Sequence, residues 1–301
     1  MPKYYKALDL DGANEYVDCG NPAITDNLSV VAEINCDTLG ATAWRGIVTD
    51  GNDRTTDVAF WLMTNYGSDR NLRLYVSGDG TPDALACKYY RTPVDSLPLT
   101  GYASVGFSFY GGTSTLLMYI DGVEVATLKS QDPNIATIHS PAGPLRIGGN
   151  PGYGGLWDGP ITNVSIWDTA VLTPADFLTL HNGGLSMDPA DLVPTGGAVL
   201  AHSYLWDTEL PLVPGANDIP DNTGTNHGTT QNMEAADVVD SPFMVPWTPA
   251  VRPYAYNRAT KTADGSRTSW LSSPAPDPAM AYHPDIPDPA DYEDFVVLKA
   301  D

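Results

Sequence analysis

The sequence has no apolar run near the roughly 20 residues that a membrane-spanning helix needs, so membrane insertion is not expected. Basic side chains are scarce. The 301 residues hold 15 Lys and Arg against 37 Asp and Glu, a net charge of −22. Nucleic-acid binding through a basic face is thereby excluded, because phosphate contacts need clustered Lys and Arg. The same balance argues against an anionic membrane surface. Glutamate is scarcer still, at 6 residues against 31 Asp. Glu favours helix interiors, whereas Asp favours turns, caps and oxygen-ligand metal sites. Cysteine is limited to Cys19, Cys36 and Cys87. An odd number with no C-x-x-C pair gives neither a closed disulfide set nor a zinc site. These residues read as small apolar side chains in strands, with one disulfide left open. Met1 to Lys6 offers no apolar stretch that could act as a signal peptide.

What is present is turn-forming. With 28 Gly and 26 Pro, the chain reads as all-β. From Tyr4 to about Leu185, short strand-like runs are broken by Gly, Asn and Asp. Residues 28–36, 58–63 and 72–76 alternate over part of their length. Residues 102–109 and 115–120 read as a strand pair across Gly111 and Gly112. Asp121-Gly122 is a hairpin-turn signal that leads into 123–128. One helix is expected. Thr173 caps it, Pro174 takes the first helical position, and Asn182-Gly183-Gly184 stops it.

The C-terminal part differs. Residues 186–245 contain one strand-like run, 198–206, amid polar turns, and read as an irregular segment with one or two strands packed on the sandwich. Residues 241–301 hold ten prolines, too many for a central strand or long helix. Residues 246–301 are expected to form a Pro-rich extended arm. It is rich in aromatics, and Trp247, Tyr254, Tyr256 and Trp270 are anchor residue types for an interface. They can dock on the chain's own sandwich or on a partner, and the sequence does not separate the two.

Particular residues resemble a known family. Residues 8–17 (LDLDGANEYV) are similar to the opening strand of laminin-G-like, concanavalin A-like domains. Residues 118–125 (MYIDGVEV) resemble the family's late hairpin. Residues 145–184 follow its order of Gly-rich strand end, aromatic-Asp-Gly turn, strand ending in an aromatic, and short helix. The resemblance spans residues 4–185. It implies a two-sheet antiparallel jelly-roll sandwich for 1–185, in a family of binding and adhesion modules of which some take calcium or sugars. Where many members carry an acidic pair after the aromatic-Asp-Gly turn, this chain has Thr162 and Asn163. Residues 198–242 resemble the continuation of such domains in tailed-phage structural proteins. That resemblance implies a virion protein, a capsid decoration or a fibre or tail component, made in the host cytoplasm. Its partners would be other virion proteins or further copies of itself, with host-surface glycans as ligands.

Candidate sites follow. Calcium is the candidate cofactor, with Asp11 and Asp158 paired by the family pattern and Asp50 and Asp53 spaced closely enough for a hard cation. The alternative is that these Asp residues simply form turns. Trp44, Tyr66, Tyr153 and Trp157 lie next to Gly, Asp, Asn or similar loop residues and are the candidate sugar-stacking rings. The alternative for each is packing. Trp61 and Trp167 sit in strands and read as core. A hydrolase of this fold needs two carboxylates flanking the scissile bond. No two of Glu15, Glu33, Glu124, Glu209, Glu234 and Glu293 share a strand at suitable spacing, and no G-x-S-x-G, P-loop or H-E-x-x-H motif occurs. The leading expectation is therefore a non-enzymatic virion structural protein. The alternative is a calcium-dependent carbohydrate-binding or adhesion module, and a glycan-active enzyme comes third.

Overall fold

The computed structural model describes residues 5–36, 44–53, 56–65, 69–149, 155–184, 187–204, 206–207, 218–223 and 226–241. It also describes the backbone of 255–258 and 295–298. The strands run β1 (Tyr5–Asp11), β2 (Tyr16–Asp18), β3 (Asn27–Asn35), β4 (Trp44–Asp53), β5 (Asp57–Asn65), β6 (Asn71–Gly80) and β7 (Cys87–Arg91). They continue as β8 (Tyr102–Tyr110), β9 (Thr115–Ile120), β10 (Val123–Val125), β11 (Leu128–Gln131), β12 (Leu145–Ile147) and β13 (Asp158–Asp168). After the helix α1 (Pro174–His181) come β14 (Val199–Tyr204), β15 (Trp206–Asp207), β16 (Thr229–Gln231) and β17 (Val238–Asp240).

Two antiparallel sheets result. The first has the order β10-β9-β8-β3-β13-β1-β15, with β14 also on β13 and β17 on β1. The second has the order β11-β7-β6-β5-β4-β12-β2-β16. Alternation decides which side chains meet between them. Leu28, Val30, Ala32 and Ile34 of β3, with Ala103, Val105, Phe107 and Phe109 of β8, point in from the first sheet. Phe60 and Leu62 of β5, with Leu72, Leu74 and Val76 of β6, point in from the second. Phe60 and Phe107 meet across the interface with ring centroids 5.4 Å apart. Burying each Val, Leu, Ile or Phe of this set contributes about 1.5–3 kcal/mol. The all-β jelly-roll sandwich with one short helix is thus the architecture, as the sequence implies.

The outer face of the first sheet is covered. Thr173 and Asp176 form a reciprocal capping box at the start of α1, and Asn182 ends it in the left-handed region. Phe177 stacks on Tyr119 with centroids 3.7 Å apart. Trp167, Leu172, Leu180, Leu192 and Ala198 complete that cluster. Gly106 makes the close approach possible, since a Cβ there would stand 2.5 Å from the Val30 carbonyl oxygen and 2.8 Å from Phe177. Trp167 is therefore buried beneath the helix rather than between the sheets.

Among the described residues, 186–245 bring four strands where the sequence reading expects one or two. β14, β15 and β17 join the first sheet and β16 joins the second. Three of the four span two or three residues, too short to leave a periodic pattern. The crossover between the sheets is organised by Asp221. Its carboxylate accepts from Ser203 N (3.0 Å), Thr223 N (3.1 Å), Thr223 Oγ1 (2.7 Å) and Asn226 N (3.4 Å), and pairs with His202 Nδ1 at 2.8 Å. The three cysteines are buried and form no disulfide among the described residues.

Residues 4–245 form one compact unit, and residues 1–3 with 246–301 form another. Of the second unit, an antiparallel pair is described, β18 (Ala255–Arg258) with β19 (Phe295–Leu298). Both runs lack proline, which is what lets them pair. Trp247, Tyr254 and Trp270 lie outside the described residues, and Tyr256 is placed by its backbone alone, opposite Val297. All strands of both large sheets lie within residues 4–245. A chain ending at Val245 is accordingly expected to keep its far-UV circular dichroism and a cooperative melt. Light scattering on the same pair of proteins reads whether residues 246–301 drive self-association.

Candidate functional site

With the first sheet covered by α1, the outer face of the second sheet is the surface to consider. Strand alternation populates it. In β6, Leu72, Leu74 and Val76 point inward, so Arg73 and Tyr75 point outward. In β7, Tyr90 points inward and Tyr89 and Arg91 outward. The register then lines up a transverse row, Thr49–Trp61–Tyr75–Tyr89–Gln131, across β4, β5, β6, β7 and β11. Beside it runs a second row, Gly46–Met63–Arg73–Arg91–Leu128.

The rings of this face are mutually arranged. Tyr75 and Tyr89 stack at 4.3 Å with planes 8° apart. Trp44 lies 6.2 Å from Tyr75 at 28°, and Trp61 meets Tyr75 edge-on at 6.1 Å. Trp61 and Met63 are buried, while Trp44 and Tyr89 are half-buried and form the accessible rings. Arg73 ties the group together. Its guanidinium lies 4.9 Å from the Trp44 ring centre, Nη1 donates to Tyr89 Oη at 2.7 Å, and Nε donates to Asn71 Oδ1 at 3.3 Å. Asp69 Oδ2 stands 3.7 Å from Nη2. The flanking strand β11 is pinned by Asp132, which accepts from Lys88 Nζ (2.5 Å), Tyr90 Oη (2.5 Å) and Lys129 Nζ (3.0 Å). Burial opposes ionisation of Asp132, but these donors outweigh it and hold the carboxyl well below the usual range. The result is a rigid aromatic platform with arginine at its edge.

The residues expected from sequence are distributed differently. Trp44 stands on the platform. Tyr66 and Tyr153 lie outside the described residues. Trp157 is a correction: it is fully buried in the core between the sheets, its backbone N–H donating to the Gly148 carbonyl at 2.7 Å. Fully buried there, this tryptophan cannot stack on a sugar.

The calcium candidates take different places. Asp50 faces the core opposite Phe60 and Leu145, fully buried, and its carboxyl oxygens accept no hydrogen bond. Burial, reinforced by the Asp57 charge and opposed by Arg146, pushes its carboxyl up to about 8, so it is protonated at neutral pH. Asp53 ends β4, with its side chain outside the described residues. Asp11 and Asp158 are cross-strand partners. Asp11 accepts from Ala13 N and Asn14 N as a turn former, and Asp158 pairs with Arg45 at 3.0 Å. Among the described residues, no three His, Cys, Asp or Glu side chains are grouped so as to hold a metal ion.

Comparison with known proteins follows from this geometry. A laminin-G family model, described as the concanavalin A-like lectin/glucanases superfamily, matches residues 11–176. The chain belongs to this superfamily. The matched span ends inside α1, so the concanavalin A-like domain recognised by the model stops before β14–β17, which complete both sheets here. Among solved structures, a candidate carbohydrate binding protein from Bacteroides ovatus is 21% identical with a TM-score of 0.55, over 82% of this chain and 62% of that one. This chain therefore spans under two thirds of that protein, and the likeness is one of fold. A heptameric SAP-like pentraxin from Limulus polyphemus is 17% identical over 68% of this chain and 95% of its own, with a TM-score of 0.46. The CBM40 of Ruminococcus gnavus IT-sialidase, bound to α2,3-sialyllactose, is 13% identical over 58% and 96%, also with a TM-score of 0.46. No curated protein matches the chain.

Sequence reasoning missed Tyr75, Tyr89, Arg73, Arg91 and Gln131. A signal for the first four is present. LRLYV and KYYR each place Arg and Tyr two residues apart, opposite the apolar positions.

Proposed function

We propose that this chain is a non-catalytic glycan-binding module, with the outer face of β4–β7 as its binding surface. One observation carries the reading: Trp44 and Tyr89 present half-buried ring faces, backed by Tyr75 and fixed by Arg73. A sugar ring has an apolar C–H face and a polar rim. A rigid aromatic surface edged by hydrogen-bonding side chains suits both. Membership of the lectin/glucanases superfamily supports the binding half of this reading. Binding without hydrolysis is supported by the residues in register with the rings: Thr49, Arg73, Arg91 and Gln131 supply no carboxylate pair.

The test is a binding titration against an oligosaccharide array. Tyr89→Ala is expected to weaken binding at least about tenfold while the melting temperature falls little, since Tyr89 is half-buried. Equal binding by wild type and variant would remove the site from this face. Assembly through residues 246–301, in a virion or a homo-oligomer, is a separate proposal. It rests on the aromatic and proline content of that segment alone and is read by the truncation at Val245 described above.

A further inference from the structure

We propose that the ligand of this face is an anionic glycan, with its ring on Tyr89 and its carboxylate or sulfate held by Arg91. The inference rests on the reading of the aromatic face as a glycan site. It begins with a charge anomaly. The chain is strongly acidic, yet β6 and β7 set Arg73 and Arg91 directly opposite each other on one face. Like charges in cross-strand register destabilise a sheet.

The two arginines are not equivalent. Arg73 is engaged by Tyr89, Asn71, Asp69 and the Trp44 ring, and is a positioning residue. Arg91 is half-buried, has no acidic partner among the described residues, and its buried Nε donates no hydrogen bond. Across Tyr89 on β11, the buried Oε1 of Gln131 accepts none either. A buried polar atom without a partner is a cost that a ligand can relieve. Here one orphan donor and one orphan acceptor flank the same stacked tyrosine pair. Both side chains are half-buried, so a change of rotamer turns either group toward a ligand.

The chemistry that satisfies all three features is specific. A guanidinium fork matches a planar carboxylate, or two sulfate oxygens, with paired hydrogen bonds. The Gln131 oxygen accepts from a hydroxyl, and the Tyr89 ring takes the C–H face. A neutral sugar would answer Gln131 and Tyr89 but leave Arg91 opposite Arg73 with no anion of its own. Because the net charge is −22, the long-range field repels an anionic ligand. Recognition must come from these local contacts.

The experiment titrates full-length protein with four probes: a galacturonic acid trisaccharide, α2,3-sialyllactose, a chondroitin sulfate oligosaccharide and neutral cellotriose. At least one anionic probe is expected to bind about tenfold or more tightly than cellotriose, and Arg91→Gln is expected to remove that margin. Arg91→Lys should restore only part of it, since the point charge returns without the fork. Melting curves confirm that each variant is folded. Preference for the carboxylated or for the sulfated probe identifies the anionic group, and either supports the proposal. If cellotriose binds as well as the anionic probes and Arg91→Gln changes nothing, the anionic inference is overturned while the glycan site stands. If no probe binds, or if binding is indifferent to Tyr89→Ala, both fall.

Discussion

Asp221→Ala is expected to lower the melting temperature by about 10 °C and to expose Cys19 to thiol reagents before Cys36 and Cys87. The size follows from what the carboxylate does. It is fully buried and accepts from four donors on Ser203, Thr223 and Asn226 while pairing with His202. Removing it strands those donors in the interior, a loss of about 3–5 kcal/mol. The location of the damage follows from the topology. Asp221 sits between β14 in one sheet and β16 in the other, and its N–H donates to His227 Nδ1 at 3.1 Å. The neighbouring bridge between Ile219 and Gly228 lies over Val17 and Cys19. A Cβ on Gly228 would stand 3.5 Å from the Cys19 Sγ, so the backbone itself covers the thiol. Burial holds that thiol above its ordinary ionisation range, and it stays unreactive while the crossover is in place.

The pH dependence has a definite sign. Burial raises the Asp221 carboxyl, but the His202 pair and the Ser203 and Thr223 hydrogen bonds outweigh it and leave it depressed. A depressed carboxyl contributes stability that is present above the unfolded value near 3.8 and is lost as the pH falls further. The gap between wild type and variant should therefore narrow in acid. A gap that is constant from pH 7 to pH 2, or labelling that starts at Cys87, would contradict this account.

Asp50→Asn is expected to do the opposite. It should stabilise the protein by on the order of 5 kcal/mol at pH 9 and by almost nothing at pH 4. Asp50 is fully buried, and neither carboxyl oxygen accepts a hydrogen bond. Burial is the largest cause of its raised value. The Asp57 charge adds to it, being itself held ionised by the N–H groups of Asn52, Ala142 and Gly143. Between the unfolded value of 3.8 and the folded value of about 8, the native state binds one more proton than the unfolded chain. Stability therefore falls as the pH rises through that window, and the full loss is reached above it. An amide has the same shape and no proton to lose. Denaturant titrations of both proteins at pH 4, 6.5 and 9 give the comparison. Parallel stability curves would mean that Asp50 is ionised without penalty.

Much of the fold is legible in the sequence because its strongest local rules operate undisturbed. Asp121-Gly122 forms the turn between β9 and β10 with φ of 50° and 74°, the left-handed pair that a two-residue hairpin requires. Thr173-Pro174 starts the helix and Asn182 ends it. The short strands β15, β16 and β17 are not legible, since two or three residues between turns carry no period. The site is legible only in part, for a reason of symmetry. Both outer faces of this sandwich bury aromatics, so a tryptophan in a strand or beside one can belong to the core, to the helix-covered face or to the platform. Trp157, Trp167 and Trp61 are one of each, and burial alone does not distinguish them.

The position of β1 has a consequence for biosynthesis. Leu8 pairs with Ile161 on one side and with Val238 on the other. β1 thus waits for partners that lie more than 150 residues further along the chain. Loop-closure entropy over such separations delays the reward for pairing. Throughout that wait, β1 is an unpaired edge open to neighbouring chains. Its exposed charges, Asp9 and Asp11, face a second nascent copy carrying the same charges in the same places, and the acidity of the mature protein guards its own assembly.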